Sequence, residues 1–554
     1  MRVGVNRLIK SAFKGSAFTV YSILAGALLG LPIFVIFFSF FYWDNAIWQH
    51  LSATVLPKYI SNSVILAFGV GFGATILGTY LAWIIVNYHF YGRRVIQWMV
   101  LLPLAMPAYI IAYTYTGLLD FAGPVQTLIR DTFELTAQDY WFPEVRSLSG
   151  AIILMSLVLY PYVYILARTA FSEQSQKYRE VSQLAGVSPL KHFFKVALPL
   201  ARPAIMTGGA LAMMEALADF GTVEYFGVST FTTGIYRTWF GMGDIKAASQ
   251  LSGFLCLFVF ILIMIERMSR RDSQNYSSRQ GKSAQAKQVK GLNGVLVFLL
   301  CSLPVVFGFI IPFVQLATWT LRFSDLSNLA DYPEYAINSA ILASIGSVVI
   351  VAMALLFSYA KRLHPSKTVS GFIQLVSLGY ALPGTVIAIG VLVPLGWVDI
   401  KLNIFTNMWF NFQPGLVFSG TVFALIFAYA VRFMSVALNN TEAGIQRIRP
   451  SMDEASKVLG DSPLQRLFRI HIPLLKASIL SAGLLVFVDI LKELPATLVL
   501  RPFNFNTLAV KAFELASDER LIDAALPSIT IVLVGILPVI ILTRTLDGID
   551  RKNA

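Results

Sequence analysis

Charge is scarce in this sequence: Asp, Glu, Lys and Arg make up 13% of its 554 residues, against 56% in the hydrophobic set. A soluble chain of this length splits into several domains with charged surfaces, and so little charge cannot cover them. Cysteine is scarcer still. Cys256 and Cys301 are the only two; both sit in apolar runs without CxxC or Cys/His spacing, which argues against a metal or redox site and leaves packing as their reading. The five histidines are scattered. HExxH, GxSxG and a Gly-rich loop ending in GK[ST] are all absent from any suitable context, so no enzyme site is expected and the chain cannot hydrolyse ATP itself. Nothing resembles a channel filter of repeated backbone-carbonyl loops.

What fills the sequence instead is long apolar runs, with a mean hydropathy of +0.68. Segments of spanning length lie near 18–41, 62–86, 95–118, 149–170, 201–222 and 248–266, then near 293–319, 337–360, 371–395, 415–437, 475–495 and 525–544. Each approaches the ~20 residues needed to cross hydrocarbon, which predicts an all-α polytopic membrane protein of about 12 transmembrane helices in a lipid bilayer. The net charge of +13 does not point to nucleic acid, because the basic residues lie between apolar runs rather than on a soluble face with stacking aromatics. About three quarters of the Lys and Arg fall on one side if the N-terminus is inside, so both termini are expected in the cytoplasm. The first apolar run is too long for a signal core and reads as an uncleaved helix.

Residues 267–292 are polar, without apolar period, and read as a cytoplasmic linker between a first half, 1–266, and a second, 293–554. The halves are related. EVSQLAGVSPLKHFFKVALPLARPAI from Glu180 aligns without gaps on EASKVLGDSPLQRLFRIHIPLLKASI from Glu454, pairing Gly186 with Gly460, Ser188 with Ser462, Pro189 with Pro463 and Pro199 with Pro473. With a two-residue change of register, Asn62 and Ser63 match Asn338 and Ser339, and Pro107 matches Pro383. Two parallel six-helix repeats are therefore expected.

The best-matched segments fall in two cytoplasmic stretches, 171–202 and 438–476, that are too punctuated for plain connections. Gly186 and Gly460 suit the left-handed position ending one short helix. Ser188 and Ser462 can N-cap a second, with Pro189 and Pro463 in its first turn. A helix-turn-helix can read DNA or merely connect, but a duplicated, cytoplasm-facing pair fits a symmetric docking partner better. Here the sequence resembles the EAA motif of permeases of binding-protein-dependent ABC importers, with Glu, then Gly, then Ile/Leu-Pro, although the first copy has Val181 and Ser182 where the family has alanines. The resemblance implies a type I importer permease fold and coupling helices, including Glu180, Gly186, Glu454 and Gly460, lodged in a separate ATPase homodimer that holds ATP and Mg. No permanently bound cofactor is implied for this chain.

Ionisable residues within membrane helices are costly and mark function or pairing. The span after each loop carries a pair four residues apart, Glu215 with Asp219 and Asp489 with Glu493, predicted on one helical face. From Pro203 to Glu215 an α-helix rises about 18 Å, placing these acids beyond the bilayer middle. Four carboxylates would line a cation pathway and bind a hard metal transiently; alternatively they pair locally, Lys492 being at hand, or cap helix ends. Tyr109, Tyr113 and Tyr115 are candidate hydroxyl ligands or interface tyrosines. The external stretch from Asp120 to Arg146 is net acidic, fit for a basic partner, for the ion, or for water alone.

PLAMPAYIIAYTYTGLLDFAGPVQ and KELPATLVLRPFNFNTLAV are similar to the ferric iron permeases of the same importer family. That resemblance implies Fe3+ as substrate, a periplasmic iron-binding protein as donor and a bacterial inner-membrane location. Thiamine permeases share the layout and are the nearest alternative. Proton-coupled carriers also have two parallel six-helix halves, but they have no use for paired cytoplasmic coupling elements.

Overall fold

A computed structural model describes residues 17–39, 41, 45–136, 138–174, 181–182, 184, 186–271, 287–322 and 331–553. Glu180 and linker residues 272–286 lie outside the described residues. The first repeat contributes α1 (Ala17–Ser39), α2 (Leu56–Asn87), α3 (Ala108–Leu119), α4 (Leu148–Ser172), α5 (Leu198–Ala218) and α6 (Ile245–Arg271). The second contributes α7 (Gly291–Arg322), α8 (Tyr332–Leu363), α9 (Gly384–Phe410), α10 (Val422–Gln446), α11 (Ile472–Leu491) and α12 (Ala525–Asn553). Strands among the described residues are limited to two dipeptides, Tyr88–His89 and Lys287–Gln288, paired in parallel.

Ten of these helices are long and apolar enough to span a membrane, and one bent helix pair makes an eleventh if it is counted as a single span. The apolar part of α12, Ala525–Ile541, is shorter. Two predicted segments need correction. Residues 95–118 are not one straight span but Arg93–Ala105 and Ala108–Phe133, bent by 94°. Residues 371–395 straddle a break between the helix Lys367–Ser377, with its 3-10 extension Leu378–Ala381, and α9. The cause is the same in both repeats. A residue before proline is driven out of the helical region: Met106 has φ −109°, ψ 115° and Leu382 has φ −88°, ψ 137°, ahead of Pro107 and Pro383.

Two compact units form, and each draws on both sequence repeats. One comprises residues 1–44, 238–253 and 331–510, joining α1 and the start of α6 to α8–α11. In it Phe18 packs edge-on against Tyr359 and Ser39 Oγ donates to the Ser249 carbonyl at 3.0 Å. The other comprises 45–237, 254–330 and 511–554, joining α7 and α12 to α2–α5. There Tyr115 donates its hydroxyl to the Phe307 carbonyl at 2.6 Å, and Tyr113 bonds Ser528 of α12.

Equivalent polar contacts recur inside the units. Asn62 Nδ2 donates to the Ser229 carbonyl at 2.9 Å and Ser63 Oγ accepts from the Phe231 amide at 3.2 Å. Asn338 donates to Asn506 at 3.3 Å and Ser339 accepts from Leu508 at 2.7 Å. Buried backbone groups in a membrane need a partner on the protein, and each repeat meets that need with the same Asn-Ser pair.

Candidate functional site

The two loops before α5 and α11 are built alike. Gly186 has φ +66° and Gly460 φ +85°, conformations that any Cβ disfavours. Each glycine ends a helical turn. The Val187 amide donates to the Ser182 carbonyl at 2.9 Å, and the Asp461 amide to Ser456 at 3.1 Å, the six-to-one bond of a Schellman stop. Ser188 Oγ then accepts from the Lys191 amide at 3.4 Å. Ser462 goes further and forms a reciprocal capping box with Gln465, an arrangement of about 1 kcal/mol. Pro189 and Pro463 stand in the first turn of these helices, as their missing amide hydrogens allow. Pro199 and Pro473 follow π turns at Phe193–Ala197 and Leu467–His471, wider turns that relieve the clash between a proline ring and the carbonyl four residues back.

Both loops turn apolar side chains outward at matching positions. Leu184, Leu190 and Phe194 are exposed in the first, and their counterparts Val458, Leu464 and Phe468 in the second, where Leu459 is exposed as well. Glu454 is exposed beside them. The loops differ in how they are fastened. In the first, Trp83 of α2 packs against Phe171, His192 and Phe193, and His192 Nδ1 is 2.8 Å from Ser182 Oγ.

In the second, Arg362 of α8 donates to Asp453 at 3.0 Å and to the Ile445 and Ile448 carbonyls. His471 lies 2.7 Å from the same carboxylate and Tyr359 donates to the Pro463 carbonyl at 2.7 Å. Burial pushes the Asp453 carboxyl up, but the His471 and Arg362 bonds outweigh it and hold the acid below the usual carboxylate range. Sequence reasoning missed this fastening, because Arg362 lies just past a predicted span and its partner Asp453 is 91 residues away.

The four acids do not share helical faces as predicted. α5 stops at Ala218 and α11 at Leu491, which leaves Asp219 and Glu493 beyond the helix ends. Both cap the next helical turn: Asp219 accepts from the Thr222 and Val223 amides at 3.0 and 3.2 Å and from the Thr222 hydroxyl at 3.0 Å. Glu493 accepts from the equivalent Ala496 and Thr497 amides at 3.2 and 3.4 Å. Glu493 is also bound at 3.0 Å by Arg432 of α10, a buried pair with side chains 2% and 15% exposed. Asp489 pairs with Lys492 at 2.8 Å, and Glu215 is half-buried. Among the described residues no three His, Cys, Asp or Glu side chains gather as a metal site.

Tyr109 and Tyr113 are buried in the core of their unit, Tyr113 edge-on to Tyr225. The acidic stretch from Asp120 to Arg146 contains a helix, Pro124–Phe133, where Arg130 stacks 4.2 Å over Phe121 and donates to Tyr140 and Thr127. Arg432 went unremarked in the sequence, although an arginine inside an apolar run is itself the signal that should draw attention.

Known proteins match this architecture. The model for binding-protein-dependent transport system inner membrane components matches twice, over residues 74–268 and 358–553. The chain is 24% identical over 494 residues to the Fe(3+)-transport system permease protein FbpB 2 of Haemophilus influenzae, covering 88% of this chain and 90% of that one. It is 24% identical over 502 residues to the ferric transport system permease protein FbpB of Actinobacillus pleuropneumoniae, covering 85% and 69%. The molybdenum transport system permease protein ModB of Haemophilus influenzae is 26% identical over 191 residues, 34% of this chain and 80% of that one. Such components transport and are not enzymes. With both matched regions containing one of the duplicated loops, the chain belongs to the family of binding-protein-dependent transport system inner membrane components, as a member with the family's domain fused in two copies.

Proposed function

We propose that this protein is the permease of an ATP-driven ferric iron importer, with both coupling loops docked on a separate ATPase dimer and Fe3+ supplied from outside by a periplasmic binding protein. The observation that carries the importer reading is the duplicated loop. Each copy has a rigid glycine stop, a capped second helix and exposed leucine, valine and phenylalanine side chains where a soluble partner can bury them. The ferric reading rests on the curated relatives, whose matches run through both repeats, and on acids rather than His or Cys after each coupling span. Hard carboxylate oxygens suit a hard trivalent cation.

In this reading both termini and the linker face the cytoplasm, in agreement with the distribution of Lys and Arg. ATP closes the ATPase dimer, which moves the coupling loops and switches the permease between two states of access. Glu180 and Glu454, with Gly186, Ser188, Pro189, Pro199 and their counterparts, belong to the coupling contact. Glu215, Asp219 and Asp489 give the route its negative character and hold the ion only in passing.

The test is a competition in proteoliposomes containing the permease, its ATPase and its binding protein. Unlabelled ferric iron should suppress ATP-dependent uptake of labelled ferric iron, while thiamine and molybdate should not. Uptake of thiamine or molybdate without uptake of iron would refute the ferric reading and leave the coupling loops in place.

A further inference from the structure

Inside this one chain the two repeats provide an internal control. After the coupling span each has an acid that caps the next turn, Asp219 in one and Glu493 in the other. Among the described residues no cation pairs with Asp219, which is held by two amides and a hydroxyl. Glu493 has the same kind of cap and, in addition, Arg432 at 3.0 Å.

The surroundings differ in step with the acids. α4 and α10 are each 25 residues long and begin on equivalent N-caps, Ser147 and Thr421, which puts Val158 where the second repeat has Arg432. The residue after the helix-breaking proline is Ala108 in the first repeat and Gly384 in the second. A Cβ on Gly384 would lie 2.2 Å from Arg432 Nη1 and 2.5 Å from Glu493 Oε1. Three positions have thus changed together: alanine, valine and a cation-free acid on one side, glycine, arginine and a paired acid on the other.

The pair also stands at a mechanical junction. Glu493 lies at the far end of the span that starts from the second coupling loop, Arg432 belongs to α10, and Gly384 opens α9 at its break. Thr497 extends the network by donating to the Glu493 carbonyl at 2.8 Å, and its hydroxyl is 2.6 Å from Tyr429 Oη of α10.

We propose that Arg432 is a positioning residue that supplies a resident positive charge to Glu493, latching the end of α11 to α10 and withdrawing the second repeat's capping acid from the cargo. Arg432 acts through Glu493, and contact between a cationic cargo and a capping acid is left to the first repeat. The proposal rests on the importer reading but not on iron, because the latch holds for any cargo the complex moves.

Removing one member of a buried pair strands the other, whereas removing both together is often nearly neutral. The experiment compares R432M, E493Q and the R432M/E493Q double variant in the assembled complex with its ATPase, reading maximal uptake, half-saturation by loaded binding protein, and ATP hydrolysed per cargo. Each single variant should lose about tenfold or more in maximal uptake and hydrolyse ATP without transport. The double variant should return to within about threefold of the parent with normal coupling and an unchanged half-saturation.

A double variant as inactive as E493Q alone would show that Glu493 is itself needed by the cargo and would overturn the proposal; so would single variants that behave as the parent. Gly384→Ala supplies an independent reading, since its methyl presses on the pair. It should impair uptake in the parent, and uptake equal to the parent's would also overturn the latch. If the parent carries a cargo other than iron, the ferric reading fails and these comparisons keep their meaning.

Discussion

Gly186 and Gly460 offer the sharpest perturbation, because around each of them an added Cβ meets no atom within 4 Å. Within the chain itself, an effect of substitution there comes from the backbone. At φ +66° and +85° a residue with a Cβ costs roughly 1–2 kcal/mol, and a β-branched one more. A cost of about 1.4 kcal/mol lowers the ratio of correctly to wrongly turned loop about tenfold, and two independent loops at that cost lower the product of the two ratios about a hundredfold. Uptake by Gly186→Val/Gly460→Val should therefore fall, by up to about a hundredfold, while membrane insertion and the amount of protein stay normal.

The matched control is Gly186→Asn/Gly460→Asn, because asparagine enters the left-handed region more readily. It should keep clearly more activity than the valine pair despite its comparable size. Uptake and retention of the ATPase subunits during purification of the permease are the readouts. Equal losses for Asn and Val would mean that bulk at the partner contact, not backbone geometry, is what matters, and undiminished uptake by the valine pair would refute the coupling role.

Three further outcomes are expected from the geometry. Glu215→Gln with Asp489→Asn should slow cargo uptake about tenfold, as expected for acids along an ion route, without detaching the ATPase; unchanged uptake would return these acids to a structural role. Because the folded Asp453 carboxyl lies below its ordinary value, its stabilisation of the second loop should be fully present above about pH 4 and lost as pH falls through the lowered value; hydrogen exchange across 450–471 would record the loss, and Asp453→Asn should show fast exchange there already at neutral pH. Ser63→Ala and Ser339→Ala each remove the side-chain acceptor of a buried amide, at a cost of about 1–3 kcal/mol, so each should lower the thermal midpoint in detergent by a similar amount; a large loss from one alone would contradict the repeat equivalence.

Much of the architecture was legible because membrane spans are long, uninterrupted and bounded by basic residues, and because a duplication checks itself. Gly186, Ser188 and Pro189 with their second-repeat copies announced the helix stop and the capped second helix through three residue types that each have one strong local preference. Proline was legible too, but its consequence was not: Pro107 and Pro383 matched in sequence, yet the break each imposes on its span went unread. The acids were misjudged for a related reason. A four-residue spacing implies one face only if the helix continues, and α5 and α11 end before Asp219 and Glu493. Arg432 and Arg362 find their partners about sixty and ninety residues away, contacts that no local periodicity encodes. Nor does the repeat order in the chain give the compact units, in which α1 joins α8–α11 while α7 and α12 join α2–α5.

The most direct test of the whole account is ATP hydrolysis and iron accumulation measured together in proteoliposomes, with iron-loaded binding protein supplied on the face opposite the coupling loops. Iron should accumulate against its gradient only when ATP is present on the coupling-loop side, and the loaded binding protein should stimulate hydrolysis. Accumulation driven by a proton gradient without ATP would contradict the central claim.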